Sequence, residues 1–149
     1  MSKVKLKINV TYDAGKLAKK MPEIISKFVQ NYTIRTAENA KDEIKGGKLK
    51  QLGDVTKKIR DIRGHTPHTP LVATGTLLNS IKVKKLKTIS KILMKNYGLL
   101  HNNGFKTAPN SMIPNSDVPA RPFLKPSKKF AGYIVRDFRN AIKKAFVKK

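Results

Sequence analysis

The sequence predicts an α+β fold in a single domain: a small antiparallel sheet packed with a long N-terminal helix and a C-terminal amphipathic helix. Three observations predict it. A helical apolar stripe runs through about residues 22–45, two short alternating runs flank residues 87–91, and a second helical stripe precedes the last few residues. The chain has 149 residues, of which 39 % are hydrophobic. That is one-domain size, able to bury roughly 70 % of its unfolded surface. No internal repeat or interdomain linker breaks the span 1–149.

Each element has its own signal. Residues 3–10, KVKLKINV, place Val4, Leu6, Ile8 and Val10 on one face and Lys3, Lys5 and Lys7 on the other, the period of a half-buried strand. Asp13 can cap the next element, and Pro22 suits the first turn of a long helix to about Lys45. Met21, Ile25, Phe28 and Tyr32, continued by Ala37, Ala40 and Ile44, form its stripe, and Gly46–Gly47 stops it. A short amphipathic helix fits residues 54–62. Residues 64–73, GHTPHTPLVA, read as an extended linker, because each proline pushes its predecessor out of the helical region. Thr74 is a candidate N-cap for a helical turn carrying Leu77 and Leu78.

Residues 81–96 then read as a β-hairpin, and YGLLHNNG (97–104) as one or two helical turns closed by Gly104. Residues 105–117, polar and holding Pro109 and Pro114, are expected as a flexible loop. In VPARPFLKPS (118–127), Pro119 and Pro122 hold Val118 and Arg121 extended, so the segment is stiff before anything binds. Phe123 and Leu124 are placed to plug into the core. Arg121, with five N–H donors, can satisfy carbonyls or a carboxylate, within the subunit or across to a neighbour. Ser127 would cap the last helix, which runs to about Phe146. Ala131, Ile134, Phe138, Ala141 and Ala145 form its apolar stripe, while Arg136, Arg139, Lys143 and Lys144 occupy other faces.

The charge is extreme: 33 basic against 9 acidic residues, a net +24. It is also uneven, since residues 63–149 hold 18 basic residues and only two acids, Asp117 and Asp137. Such an excess favours a polyanionic or acidic partner. Nucleic acid, an anionic membrane surface and an acidic protein would each serve, and a solvated lysine-rich surface is the plain alternative. No apolar run reaches the roughly 20 residues that cross a bilayer, and the N-terminus lacks the apolar core of a signal peptide. With no cysteine, neither a disulfide framework nor a thiolate metal site is available.

Chemistry-bearing constellations are missing too. Thr-Pro follows both His65 and His68, which puts them on an extended segment, and no nearby carboxylate completes a metal set with His101. No serine sits in a nucleophile setting, no carboxylate pair is spaced for acid–base work, and KGGKLK comes after a helix instead of opening one. These readings point away from an enzyme and from any cofactor or metal. Most aromatics fall in helical stripes, leaving few stacking platforms for single strands, and no base-reading module stands out.

Three stretches, PLVATGTLLNSI (70–81), YGLLHNNG (97–104) and VPARPFLKPS (118–127), occur in this order with a hairpin between the first two. Together they resemble the tailed-phage virion morphogenesis family, which includes tail completion proteins, and the related neck or head–tail joining proteins. The matching positions are Thr74, Gly75, Leu77, Ser80 and Ile81; Tyr97, His101 and Gly104; and Pro119, Ala120, Arg121, Pro122, Phe123 and Leu124. The likeness covers about residues 64–146. It departs at Thr76, where these families often carry Arg, and at Asn103, where an aromatic is common.

The resemblance implies a structural virion protein of the bacteriophage neck or tail end, a connector or tail-completion ring at the head–tail junction. It implies self-association, sixfold to match the tail axis, with adjoining head-closure and tail proteins as partners and the host cytoplasm as the place of assembly. Neck ring, tail terminator and assembly factor all stay open. Lys82, Lys84, Lys87, Lys91, Lys143 and Lys144 are the candidate contacts to an acidic partner or to genomic DNA in the channel. A basic protein that binds nucleic acid without sequence preference is the alternative.

Overall fold

A computed structural model describes residues 14–66, 68–87, 89–125 and 128–146. The strand expected at residues 3–10, the Asp13 cap and the Ser127 cap lie outside them. The architecture is α+β, as its order of elements shows: α1 (Ala14–Lys45), α2 (Asp54–Ile62), α3 (Thr76–Ser80), β1 (Lys82–Lys85), β2 (Ser90–Leu93), α4 (Tyr97–Asn103), β3 (Phe105–Lys106), β4 (Asp117–Val118) and α5 (Lys128–Phe146).

Helix α1 starts earlier than Pro22 suggested. Its 32 residues place Pro22 in the interior, where a missing N–H removes one ladder bond. The helix can run through it because Ala18 and Pro22 are both exposed, so the Ala18 carbonyl that loses its donor is left to solvent. At the other end Gly46 N–H donates to the Asp42 carbonyl at 2.7 Å, and Gly47 turns the chain away at φ 65°. A left-handed residue just past the last turn is the usual helix stop.

The two halves of α1 do different work. Ala37, Ala40 and Ile44 on its C-terminal half are buried with Leu49, Leu71, Leu77, Ile81 and Phe123, and these residues form the core. The two alanines keep the helix surface low there, so larger side chains can close over it. On the N-terminal half, Phe28 meets Phe138 of α5 with ring centroids 5.0 Å apart, while Ile25 and Tyr32 stay largely exposed.

The hairpin forms as expected. Strands β1 and β2 pair antiparallel in the register Lys82↔Leu93, Val83↔Ile92, Lys84↔Lys91 and Lys85↔Ser90. Val83 and Ile92 pack against the core, and the Ser26 hydroxyl of α1 donates to the Lys87 carbonyl at the turn.

Residues 64–73 are not an extended linker. A proline constrains only its own φ and its predecessor, whereas Gly64 and Leu71 adopt φ 66° and 63° and bend the segment back. A left-handed leucine costs about 1–2 kcal/mol, offset here because Pro70 and Leu71 are both buried. Thr74 is likewise not the N-cap of α3. Gly75 takes that position at φ 72°, and Thr74 Oγ1 reaches the Thr76 N–H from one residue further back, at 3.4 Å.

The segment expected as a flexible loop is bounded by the short β3–β4 ladder, with Phe105↔Val118 and Lys106↔Asp117 in register. Inside it, Thr107 N–H donates to the Ser116 carbonyl at 3.0 Å, and Thr107 Oγ1 accepts from Ser116 N–H at 2.8 Å.

Phe123 has 0 % of its surface exposed. Phe123→Ala is therefore expected to lower unfolding free energy by about 3–5 kcal/mol, whereas Leu99→Ala, at an exposed position, should change it by less than about 0.5 kcal/mol. Urea denaturation of both variants checks the difference, and equal midpoints would remove Phe123 as the anchor of the last helix.

Candidate functional site

The three stretches set apart by the sequence meet in space. Between α3 and the start of α4, the Ser80 hydroxyl donates to the Leu77 carbonyl at 2.7 Å and accepts from Lys95 N–H at 3.1 Å. Gly98 is buried against the same leucine, where a Cβ would stand 2.9 Å from Leu77 Cδ1. Between α4 and residues 118–124, Arg121 N–H donates to the His101 carbonyl at 2.9 Å, and Leu124 N–H to Asn102 Oδ1 at 3.0 Å.

Gly104 is held to glycine twice over. Its φ is 81°, and a Cβ there would stand 2.9 Å from Ala120 N and 3.0 Å from the Val118 carbonyl oxygen. Those are backbone atoms with no rotamer to escape into.

Arg121 lies at the centre, with 3 % of its surface exposed. Its Nε donates to the Lys50 carbonyl at 2.8 Å and its Nη2 to the Gln51 carbonyl at 3.2 Å. Of the roles left open for it, the geometry selects carbonyls of its own chain, and among the described residues no carboxylate pairs with it. Arg60 of α2 plays a parallel part, its Nη1 donating to the Thr66 and Thr69 carbonyls at 3.2 and 2.9 Å. That pair of bonds folds residues 64–71 against α2.

His101 sits edge-on to Tyr97 and Phe105, with ring centroids 6.2 and 5.1 Å away. Its Nδ1 is buried without a hydrogen-bond partner. Burial pushes the imidazole pKa below its ordinary value, and the nearby Arg121 and Arg60 push it further the same way. Burial also lowers both arginines, and Arg60 adds to the effect on Arg121. They stay cationic all the same. No hydroxyl or carboxylate is bonded to His101 among the described residues, so the ring packs without an orienting partner or a nucleophile to serve.

The remaining motif residues are nearer the surface. Thr74 is exposed, Tyr97 keeps its outer edge in solvent, and Pro119 and Pro122 are half-buried beside Arg121. The lysines divide into separate surfaces. Register puts Lys82, Lys84 and Lys91 on one face of the hairpin together with exposed Leu93, and Lys84 stands directly opposite Lys91. Lys87 is exposed in the turn. On α5, Lys143 shares a face with Arg136 and Arg139, whereas Lys144 turns to the rim of the α1–α5 groove.

Sequence reasoning missed Arg60, Asn102 and the 50–51 carbonyls. Backbone acceptors leave no mark in a sequence, and Arg60 sits on a short helix among other charged residues, so nothing there pointed to them.

Comparison with protein-family models, curated proteins and solved structures gives no match for this chain. Among the described residues no group of three or more histidines or acids is gathered for a metal, and no helix is long and apolar enough to cross a membrane.

Two outcomes are expected. Arg121→Met leaves two carbonyls without their donor and should cost about 1–3 kcal/mol for each one that stays buried. Arg121→Lys should recover only part of that, because an ammonium lacks the rigid fork; urea midpoints rank the three proteins. The second concerns pH. The folded pKa of His101 lies below its unfolded value, so its contribution to stability is full above about pH 6.5 and is lost as pH falls through the folded value. Urea midpoints at pH 7.5 and 5.5 should therefore diverge more in the wild type than in His101→Gln.

Proposed function

We propose that the chain is a structural virion protein of a phage neck or tail end, assembling as a closed ring that joins or completes the head–tail connection, with no catalytic role. One observation carries the reading. The three motif stretches are not scattered but joined into one unit: the first packs on the second where Leu77 meets Gly98, and the second is bonded to the third through His101 and Asn102 and packed on it at Gly104. Several residues that define the resemblance, Leu77, His101, Gly104 and Arg121, thus help to shape this part of the fold. The unit carries the hairpin and α4 on its outside, where Leu93, Tyr97, Leu99 and Leu100 are exposed. A heterologous interface that closes on itself needs such a surface.

The hairpin lysines fit the same reading. Like charges directly opposite in a ladder are destabilising, and Lys84 faces Lys91 in this one. An acidic neighbour, either an adjoining head-closure or tail protein or the next subunit, would neutralise both. The alternative of a free nucleic-acid-binding protein rests on the net charge of +24.

Virions lacking the protein should accumulate as separate heads and tails, and tagged protein should localise by cryo-EM to the junction. Absence from both the junction and the assembly pathway overturns the proposal. Lys84→Ser with Lys91→Ser should leave the isolated chain as stable as the wild type, or more stable by up to about 1 kcal/mol, yet reduce incorporation into particles. Thermal melts and particle assays on the same variant separate these effects.

A further inference from the structure

We infer that the outward face of α5, carrying Arg136, Arg139 and Lys143, is a track for the phosphate backbone of duplex DNA. The inference deepens the ring proposal and rests on it only for placing that DNA in a channel. At about 100° per residue, Arg136, Arg139 and Lys143 centre about 170° away from Ile134, Phe138 and Ala141, which line the groove against α1. The three cations span about 10 Å of helix axis at 1.5 Å per residue. Duplex DNA presents one phosphate per roughly 3.4 Å along each strand, so that length matches about three phosphates of one strand.

The cations are available. Arg139 and Lys143 have no acidic partner among the described residues. Arg136 shares Asp137 with Arg35, at 3.9 Å from its own Nε against 3.7 Å from Arg35, and its guanidinium lies 4.8 Å from the Tyr133 ring centroid. A guanidinium laid on a ring keeps its edge N–H groups free for phosphate while losing rotamer freedom in advance. Gly132, with open space where a Cβ would be, leaves the face unobstructed.

Other occupants fit less well. An amphipathic helix binds a membrane by its apolar face, and that face of α5 is covered by α1 through Phe28 and Phe138. A protein interface is built around desolvated apolar anchors, and this face offers Val135 and the Tyr133 ring, the second of them already stacked against Arg136.

The test is affinity for mixed-sequence duplex DNA between 50 and 200 mM salt, using the full chain. Arg136→Gln/Arg139→Gln/Lys143→Gln is compared with Lys82→Gln/Lys84→Gln/Lys91→Gln, which removes the same charge from the hairpin. At a slope of about −0.9 per phosphate contact, the wild type should lose about 40-fold more affinity across this range than the α5 variant does. The hairpin variant should keep the wild-type slope. Equal loss of slope in both variants, loss in the hairpin variant alone, or α5-dependent binding to phosphatidylserine vesicles without binding to DNA each overturns the track. Should the triple variant fail to fold by circular dichroism, Arg139→Gln alone is expected to lower the slope by about 0.9, and an unchanged slope overturns the inference. Sedimentation and particle incorporation run in parallel keep the two proposals apart. Rings with an unaltered slope sink the track alone, and a DNA-binding α5 on a chain that never enters particles sinks the ring alone.

Discussion

A guanidinium can be buried only if its donors are met, and the fold around Arg121 is organised by that requirement. Its side chain reaches the carbonyls of Lys50 and Gln51, about seventy residues earlier, while its own N–H bonds to His101. Three parts of the chain are thereby fixed together: the turn after α1, which no ladder reaches, and the end of α4 and the approach to α5, which the short β3–β4 ladder also joins. The prolines on either side limit the entropy lost in forming these bonds, because the backbone is already extended. Phe123 then enters the core with almost no freedom in where it can go.

The same region shows how a positive cluster can be tolerated in a fold. Burial lowers the proton affinity of Arg60, His101 and Arg121 alike, and beyond that both arginines depress that of His101 and Arg60 depresses that of Arg121. The two arginines are nonetheless held by backbone carbonyls, whose partial negative charge costs no partner of opposite sign. His101 answers differently, by favouring the neutral state between two aromatic rings. A carboxylate in the cluster would have been neutralised inside the subunit, and the net charge of the chain would have been lower.

How much of this was legible depended on whether the signal was local. Helices α1, α2 and α5 and the hairpin announce themselves through side-chain period, and Gly104 through its place after YGLLHNN. Phe123 was legible because a large ring between a rigid turn and an amphipathic helix has few other places to go. What failed was punctuation read too literally. Pro22 marked no helix start, because at an exposed position the carbonyl that loses its donor is left to solvent. The prolines of 64–73 gave no extended linker, because the left-handed turn at Leu71 is stabilised by burial that only the tertiary structure supplies. The β3–β4 ladder, two residues on each side, is too short to leave a period at all.

Charge is sorted in this molecule by what lies behind it. On α5 the apolar stripe is spent on α1, so Arg136, Arg139 and Lys143 are presented outward on a backed, regular element with fixed spacing. On the hairpin, Lys82, Lys84 and Lys91 share their face with an exposed leucine and repel one another across the ladder. A polyanion of regular spacing is met best by the first surface, since counterion release depends on charge and not on an apolar contact. A protein neighbour is met best by the second, where an apolar anchor can be desolvated and opposed acids remove a built-in repulsion. In a ring the two demands need not compete, because they fall on different elements of one subunit. On the proposed reading, that separation would let one very basic chain meet a protein seam with the hairpin and a nucleic acid with α5.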